Sequence, residues 1–327
     1  MFPQSGGMSK YAQYTHGSLL GFIASWANWI SLITLIPIES VAAVQYMSSW
    51  PWSWANWTHH FISNGSITTT GLLVVFAFII IFTLLNYWSV ALLTNFTSVI
   101  SIFKIGVPVL TIIMLTLSGF HPENYGTNLH EFMPYGTAPI FAATTVSGII
   151  FSFNAFQTVI NMGSEIENSK RNIGRGIAYS LIISGILYIL LQSTFITSLS
   201  PAMIAKSGWH GINFASPFAD LAILLGIHWL SVLLYMDAFI SPFGTGVSFV
   251  ASSSRTLAAM VSNNHIPKFV GKLNQHYGTP RMAMIVNAIL SMLMVSIFRS
   301  WGTLASVIST STLIAYLTGP VTAVSLR

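Results

Sequence analysis

Long apolar stretches separated by short polar segments run through most of the chain. The stretches are continuous rather than alternating, and several reach the roughly 20 residues that a helix needs to span a bilayer. Continuous stretches favour helices over the alternating strands of a membrane barrel. The pattern predicts eight transmembrane spans, at residues 18–47, 71–90, 93–118, 138–162, 174–198, 219–253, 281–298 and 303–325.

Composition excludes a soluble globular protein. Of the 327 residues, 53% are hydrophobic and 6% are charged, whereas soluble domains carry about 25% charged residues. The net charge of +5 does not indicate a nucleic-acid partner, because the basic residues stand between apolar stretches. The chain contains no cysteine, which excludes disulfides and thiolate metal sites. We therefore expect an all-α polytopic membrane protein, with residues 1–327 forming a single transmembrane domain.

The basic residues between the spans predict the orientation in the membrane. Lys206 and Arg299 fall on one side, and the larger group falls on the other: Lys10, Lys170, Arg171, Arg175, Arg255, Lys268, Lys272, Arg281 and Arg327. Cytoplasmic loops carry the excess of Lys and Arg. The larger group is therefore expected to be cytoplasmic, and both termini lie on that side.

The fourth span contains residues that weaken a helix at membrane depth. Ser147 and Gly148 stand before Ser152 and Asn154, whose side chains compete for backbone hydrogen bonds. We predict that the backbone departs from α-helix between about residues 151 and 156. Freed backbone groups in the hydrocarbon survive where they line a cavity, and interrupted helices hold the substrate in many secondary transporters. An ordinary kink packed against neighbouring helices is the alternative.

Three charged residues, Glu39, Lys104 and Asp237, fall well inside predicted spans, away from their ends. Each is costly in hydrocarbon unless it is paired, so each is a candidate functional residue. Lys104 lies near the middle of its span, too deep to reach either surface easily. Its alternative role is a structural ion pair, for instance with Asp237. Glu39 is a weaker candidate, since a carboxylate that snorkels or lines a gate fits its position as well as a proton carrier does.

Two segments resemble the amino acid–polyamine–organocation (APC) permeases. FNAFQ, followed by SEIENSKRNIGRGI, resembles the sixth helix and following loop of that family, and Glu165 and Arg171 match its loop motif. The chain departs from the motif at Gln157, where many members have Glu, and at Ser169 and Gly174, where loop prolines are usual. SRTLAAM and the later GTP resemble the family's connection after the eighth helix.

The resemblance also predicts how much of the family fold the chain covers. FPQSGG near the beginning resembles the loop between the family's second and third helices, and GPVTAVSLR resembles the end of the tenth. The expected fold is an incomplete bundle of the inverted-repeat type, in which each repeat has five helices. Helices 1–2 and 11–12 of the family are expected to be absent from it.

The family implies secondary active transport of an amino acid across a bacterial plasma membrane. The stretch GFIASWANWISLITLIPIESVAAVQYMSSWPW resembles the aspartate–proton symporter branch, which implies proton symport of an aspartate- or glutamate-type substrate. Antiport of a neutral amino acid or an amine is one alternative, and a fragment that does not transport by itself is another. The chain has no H-E-x-x-H, G-x-S-x-G or P-loop motif, so we expect neither an enzyme nor a cofactor.

The resemblance also implies two groups of site residues, together with the bilayer, the amino acid and protons as partners. The expected substrate-binding residues are Phe151, Ser152, Phe153, Asn154, Phe156 and Gln157. The expected coupling residues are Lys104, Asp237, Ser241 and Thr245, because a fifth-helix Lys in proton-coupled members reaches the site that a cation fills in sodium-coupled relatives. No metal is expected, since histidines such as His59 and His121 stand in loops without a carboxylate at ligand spacing.

Overall fold

Helices form nearly all of the regular structure. The computed structural model describes residues 7–88, 90–145, 149–154, 156, 159–160, 166–214, 216–274 and 278–325. The helices are α1 (Gly7–Met47), α2 (Thr69–Trp88), α3 (Val90–Ser118), α4 (Leu129–Phe132), α5 (Ala138–Thr145), α6 (Ile149–Ser152), α7 (Ser169–Ser198), α8 (Pro201–Ser207), α9 (Pro217–Leu224), α10 (His228–Ser262), α11 (Arg281–Ile297) and α12 (Trp301–Ser325). Short 3₁₀ helices cover Ser53–Phe61, Pro122–Tyr125 and Trp209–Gly211. Strands β1 (Ile62–Ser63) and β2 (Ser66–Ile67) form an antiparallel hairpin.

The helices confirm an all-α polytopic membrane protein. Six of those in the described part of the chain are long and apolar enough to cross a membrane, namely α1, α2, α3, α7, α10 and α12. The shorter α11 and the interrupted segment that contains α5 and α6 occupy the other two predicted spans. Helix α1 breaks at Gly17, whose φ of 81° is left-handed, so its long part begins at residue 18, as predicted.

The predicted span at 219–253 is wrong in its first part. Helix α9 ends at Leu224 and α10 begins at His228. Gly226 lies between them with a φ of 77°, a conformation that glycine adopts without steric cost. The hydropathy pattern does not reveal this break, because the residues on both sides of Gly226 are apolar.

Helix α1 occupies the centre of the bundle. It packs most extensively against α12 and α10, and also against α11 and α2. The main buried cluster draws on these helices, with Leu32, Ile36 and Val44 from α1, Phe82 from α2 and Val250 from α10. Helix α7 is different, since it exposes a row of apolar side chains, as a helix that faces lipid does. The row consists of Ile182, Ile183, Ile186 and Ile189.

Glycines bring α10 close to its neighbours. A Cβ added at Gly246 would overlap the ring of Phe82 on α2, and one added at Gly244 would overlap Ile100 on α3. Close approach through small residues is typical of helix packing in membranes. These contacts place the middle of α10 against α2 and α3, next to Thr245.

We expect Gly246→Ala to destabilise the folded protein by about 1–3 kcal/mol, because overpacking a close contact costs that much. The midpoint of thermal unfolding in detergent measures the effect. Gly176→Ala on α7 is the matched control, since nothing lies within 4 Å of the Cβ it would add. Equal unfolding midpoints for the two variants would contradict the packing described for α10.

Candidate functional site

The interruption predicted in the fourth span is confirmed. Helix α6 ends at Ser152, and Phe153, Asn154 and Phe156 lie in turns. The amide of Asn154 donates to the carbonyl of Phe151 at 3.0 Å, a bond three residues back rather than the four of an α-helix. Gln157 lies outside the described residues, as do Ser147, Gly148 and Glu165.

Asn154 connects the break to two other helices. Its Nδ2 donates to Oγ1 of Thr312 at 3.3 Å, and its Oδ1 accepts a bond from the Tyr316 hydroxyl at 3.4 Å. Oγ1 of Thr312 lies 2.6 Å from Oγ of Ser31, so these two hydroxyls share a hydrogen bond. Ser31 and Thr312 are buried. The network therefore joins the interrupted helix to α12 and, through Thr312, to α1.

Aromatic pairs hold the two sides of the break. They are Phe151–Trp301, Phe153–Tyr188 and Phe156–Tyr316, with ring centroids 5.6, 5.4 and 4.9 Å apart. The Tyr188 hydroxyl also donates to the carbonyl of Ser152 at 3.1 Å. A carbonyl at the end of an interrupted helix needs such a partner in the hydrocarbon. Sequence reasoning missed Tyr188, Thr312 and Tyr316, because nothing in the local pattern of α7 or α12 relates them to residue 154.

The predicted coupling residues meet at one place. The Lys104 ammonium on α3 donates to the Thr245 hydroxyl on α10. The Thr245 hydroxyl donates to the carbonyl of Ser241 at 2.8 Å, and Oγ of Ser241 donates to Oδ1 of Asp237 at 2.7 Å. Residues four apart share one face of a helix. Asp237, Ser241 and Thr245 thus form a polar stripe on α10, and Lys104 contacts its far end.

The charges around Lys104 come from two helices. Both Glu39 on α1 and Asp237 on α10 interact electrostatically with its ammonium. Within 4.0 Å, however, Lys104 forms no ion pair with any carboxylate of the described residues. The structural ion pair with Asp237 that was the alternative is therefore not formed. The ammonium binds the neutral hydroxyl of Thr245 instead.

Helix α1 contributes a residue both to the network around Asn154 and to the surroundings of Lys104. Ser31 belongs to the network around Asn154, and Glu39 interacts with Lys104. Eight residues separate them, which corresponds to about 12 Å along a helix. A shift of α1 relative to α10 and α12 would therefore act on both groups.

Two glutamates in the segment between α3 and α5 are explained by local structure. The Thr127 backbone amide donates to Oε2 of Glu131 at 2.6 Å, and this bond, with that from the Thr127 hydroxyl, holds the pKa of Glu131 below its usual value. Asn128 in turn accepts from the Glu131 amide at 3.0 Å, completing a helix cap. Glu123 pairs with His121 at 3.0 Å. Both carboxylates stabilise loop structure, so neither is a coupling candidate.

A membrane-spanning bundle with an interrupted helix is an arrangement that secondary transporters share. A family model described as amino acid permease matches residues 1–327. The chain belongs to this amino acid permease family. Its members are transporters, in agreement with the expectation of a transporter rather than an enzyme.

Two curated relatives cover the chain almost completely. The chain is 49% identical to the glutamate/serine transporter AimA of Bacillus subtilis over 327 residues, all of this chain and 60% of that protein. It is 35% identical to the aspartate-proton symporter of the same organism, over 99% of this chain and 61% of that protein. The branched-chain amino acid permease BcaP, also from Bacillus subtilis, is 24% identical over 99% of the chain. The chain thus spans about 60% of the length of the first two relatives.

Proposed function

We propose that the protein serves proton-coupled uptake of an acidic or small polar amino acid across a bacterial plasma membrane, with both termini in the cytoplasm. The observation that carries the proposal is the contact of the Lys104 ammonium with Thr245 in the middle of the bundle. The substrate class is supported by the two relatives, which are described as a glutamate/serine transporter and an aspartate-proton symporter. The bilayer is the environment of the helices, and the basic loops support the orientation.

The substrate is proposed to bind at the helix break. The α-helical bonding of α6 stops at Ser152, and the amide of Asn154 bonds to the carbonyl of Phe151 three residues back. Charged groups of substrates bind such helix ends in secondary transporters. Asn154 supplies an amide beside the break, and Gln157, which lies outside the described residues, is proposed to contribute as well. Phe151, Phe153 and Phe156 provide apolar surface around the bound molecule.

The proton is proposed to travel on the amine of Lys104. A protonated amine at this depth needs oxygen partners, and Thr245 contacts it while Glu39 and Asp237 contribute negative charge. When these partners move away during the transport cycle, the charged form loses its stabilisation and the amine releases its proton. Coupling follows if the movement occurs only with substrate bound, and α1 connects the two sites.

Uptake into liposomes tests the proposal. We expect labelled glutamate, aspartate or serine to accumulate when the outer solution is more acidic than the inner, and a protonophore to remove the accumulation. Exchange of internal for external substrate without any response to the pH gradient would instead favour the antiport alternative. Absence of uptake by the 327-residue chain would favour the alternative of a fragment that does not transport by itself. A form extended to the length of the relatives is then the comparison.

A further inference from the structure

A cavity opens onto the coupling residues at a place that the proposed mechanism does not use. It measures about 260 Å³ and lies between α10, the end of α1 and the start of α9. Asp237 and Ser241 line it from α10, Tyr46 lines it from α1, and Phe218 lines it from α9. Most of the lining is apolar, and Tyr46, Asp237 and Ser241 supply polar groups. The volume exceeds that of one water molecule, about 30 Å³ in the liquid, so water can bind beside these polar groups.

The wall of the cavity contains a further polar group. Pro242, inside α10, has no N–H to donate to the carbonyl of Ala238, four residues earlier. Both residues line the cavity. The residues of the wall therefore include a carboxylate, that of Asp237, a hydroxyl, that of Ser241, and at Ala238 a carbonyl that receives no bond from residue 242.

Asp237 is the carboxylate of this wall that faces Lys104. Oδ1 of Asp237 accepts the bond from Ser241, which leaves Oδ2 to receive a proton. The other titratable groups that face it are Lys104 from α3 and Tyr46 from α1, and Glu39 from α1 interacts with both of these. From α9, Asp220 is bonded instead to the Ser216 amide at 3.0 Å and to the Tyr235 hydroxyl at 3.2 Å. Asp220 thus stabilises the cavity-lining residues Ser216 and Tyr235. This leaves Asp237 as the carboxylate that can accept a proton.

We infer that this cavity is the aqueous path by which protons from the outer solution reach Lys104, with Asp237 as the first acceptor. The inference rests on the proposed proton symport. A hydronium ion in the cavity transfers its proton to Oδ2 of Asp237 and leaves as water. Asp237 then gives a proton to the neutral Lys104 amine through cavity water. The carboxylate and an ammonium result, so one proton has moved inward from the outer solution to Nζ.

Thiol labelling tests access to the cavity without requiring transport. The chain contains no cysteine, so Ala238→Cys would introduce a single thiol at the cavity wall. A membrane-impermeant methanethiosulfonate reagent added from outside is expected to label it. Ala251→Cys is the matched control, because Ala251 is buried on the same helix and is not part of the cavity wall. Equal protection of the two thiols, or labelling of Ala238→Cys only from inside, would overturn the inference.

Asp237→Asn tests the acceptor. With a pH gradient of one unit, we expect accumulation to fall about tenfold, to the external concentration, if one proton accompanies each substrate. Exchange of labelled for unlabelled substrate should persist, because it requires no net proton movement. Asp220→Asn is the control carboxylate and should keep the response to pH.

Different failures separate the inference from the proposed function. Unchanged accumulation in a folded Asp237→Asn variant would overturn the role of Asp237, while proton symport would stand. Saturable uptake by the unaltered protein with no response to pH would overturn proton symport, and the proton path with it, whatever the labelling result. If Asp237→Asn does not fold, labelling of Ala238→Cys decides whether the cavity opens outward.

Discussion

Replacing Lys104 with alanine is expected to abolish accumulation driven by a pH gradient while leaving a folded protein that still exchanges substrate. One pH unit stores about 1.4 kcal/mol per proton, which corresponds to a tenfold concentration ratio. Without the amine, no group at Thr245 carries the proton, so the ratio should fall from about 10 towards 1. Accumulation and exchange measured in the same liposomes show whether coupling alone is lost.

Lys104→Arg separates proton transfer from a fixed positive charge. The guanidinium keeps its proton at physiological pH, so it can replace a structural charge but cannot release a proton during the cycle. We expect this variant to fold and to fail in pH-driven accumulation, as Lys104→Ala does. Normal accumulation with Lys104→Arg would make residue 104 a structural cation. Loss of the folded protein only in Lys104→Ala would support the same conclusion.

Asn154→Leu is expected to weaken substrate binding by about 10- to 100-fold, because hydrogen bonds to a charged group contribute about 1.5–3 kcal/mol each. Leucine is close to asparagine in size but offers no amide to the break, and it also removes the bonds to Thr312 and Tyr316. Substrate-dependent protection against thermal unfolding in detergent gives the dissociation constant. Without substrate, the unfolding midpoint of the variant should stay close to that of the unaltered protein.

Asn86→Leu is expected to show the opposite pattern, namely a loss of stability without a specific loss of substrate affinity. Asn86 is buried on α2, and its Nδ2 donates to the carbonyls of Phe82 and of Val247 on α10, each at 2.8 Å. Its loss should lower the unfolding midpoint without a specific effect on affinity, because Asn86 joins two helices outside the candidate site. Equal loss of affinity in the two variants would show that Asn154 acts through general stability rather than through contact with substrate.

The hydropathy pattern predicted the long helices well. It failed where the backbone conformation of single residues determines where a helix ends. The break near Ser152 was predictable, because Ser and Asn in an apolar span compete for the backbone. The break at Gly226 was not, since apolar residues flank it and the left-handed φ of 77° is invisible to a hydrophobicity pattern. A glycine in a span can equally serve close packing, as Gly246 does against Phe82.

The candidate site was predictable only in part. The resemblance to the permeases brought Lys104 and Thr245 together before the structure placed them in contact. The partners of Asn154 could not be predicted, because Thr312 and Tyr316 lie about 160 residues further along the chain. Many hydroxyls on α12 could have served as well, and only the packing of α12 against α1 selects them.

Pro242 separates two parts of α10. Asp237 and Ser241, which line the cavity, lie before it, and Thr245, which contacts Lys104, lies after it. Asp237 stands five residues from the proline, so a bend of about 20° there would swing it by about 2.6 Å. A change in helix tilt is thus converted directly into a change in the distance between the acceptor and the amine.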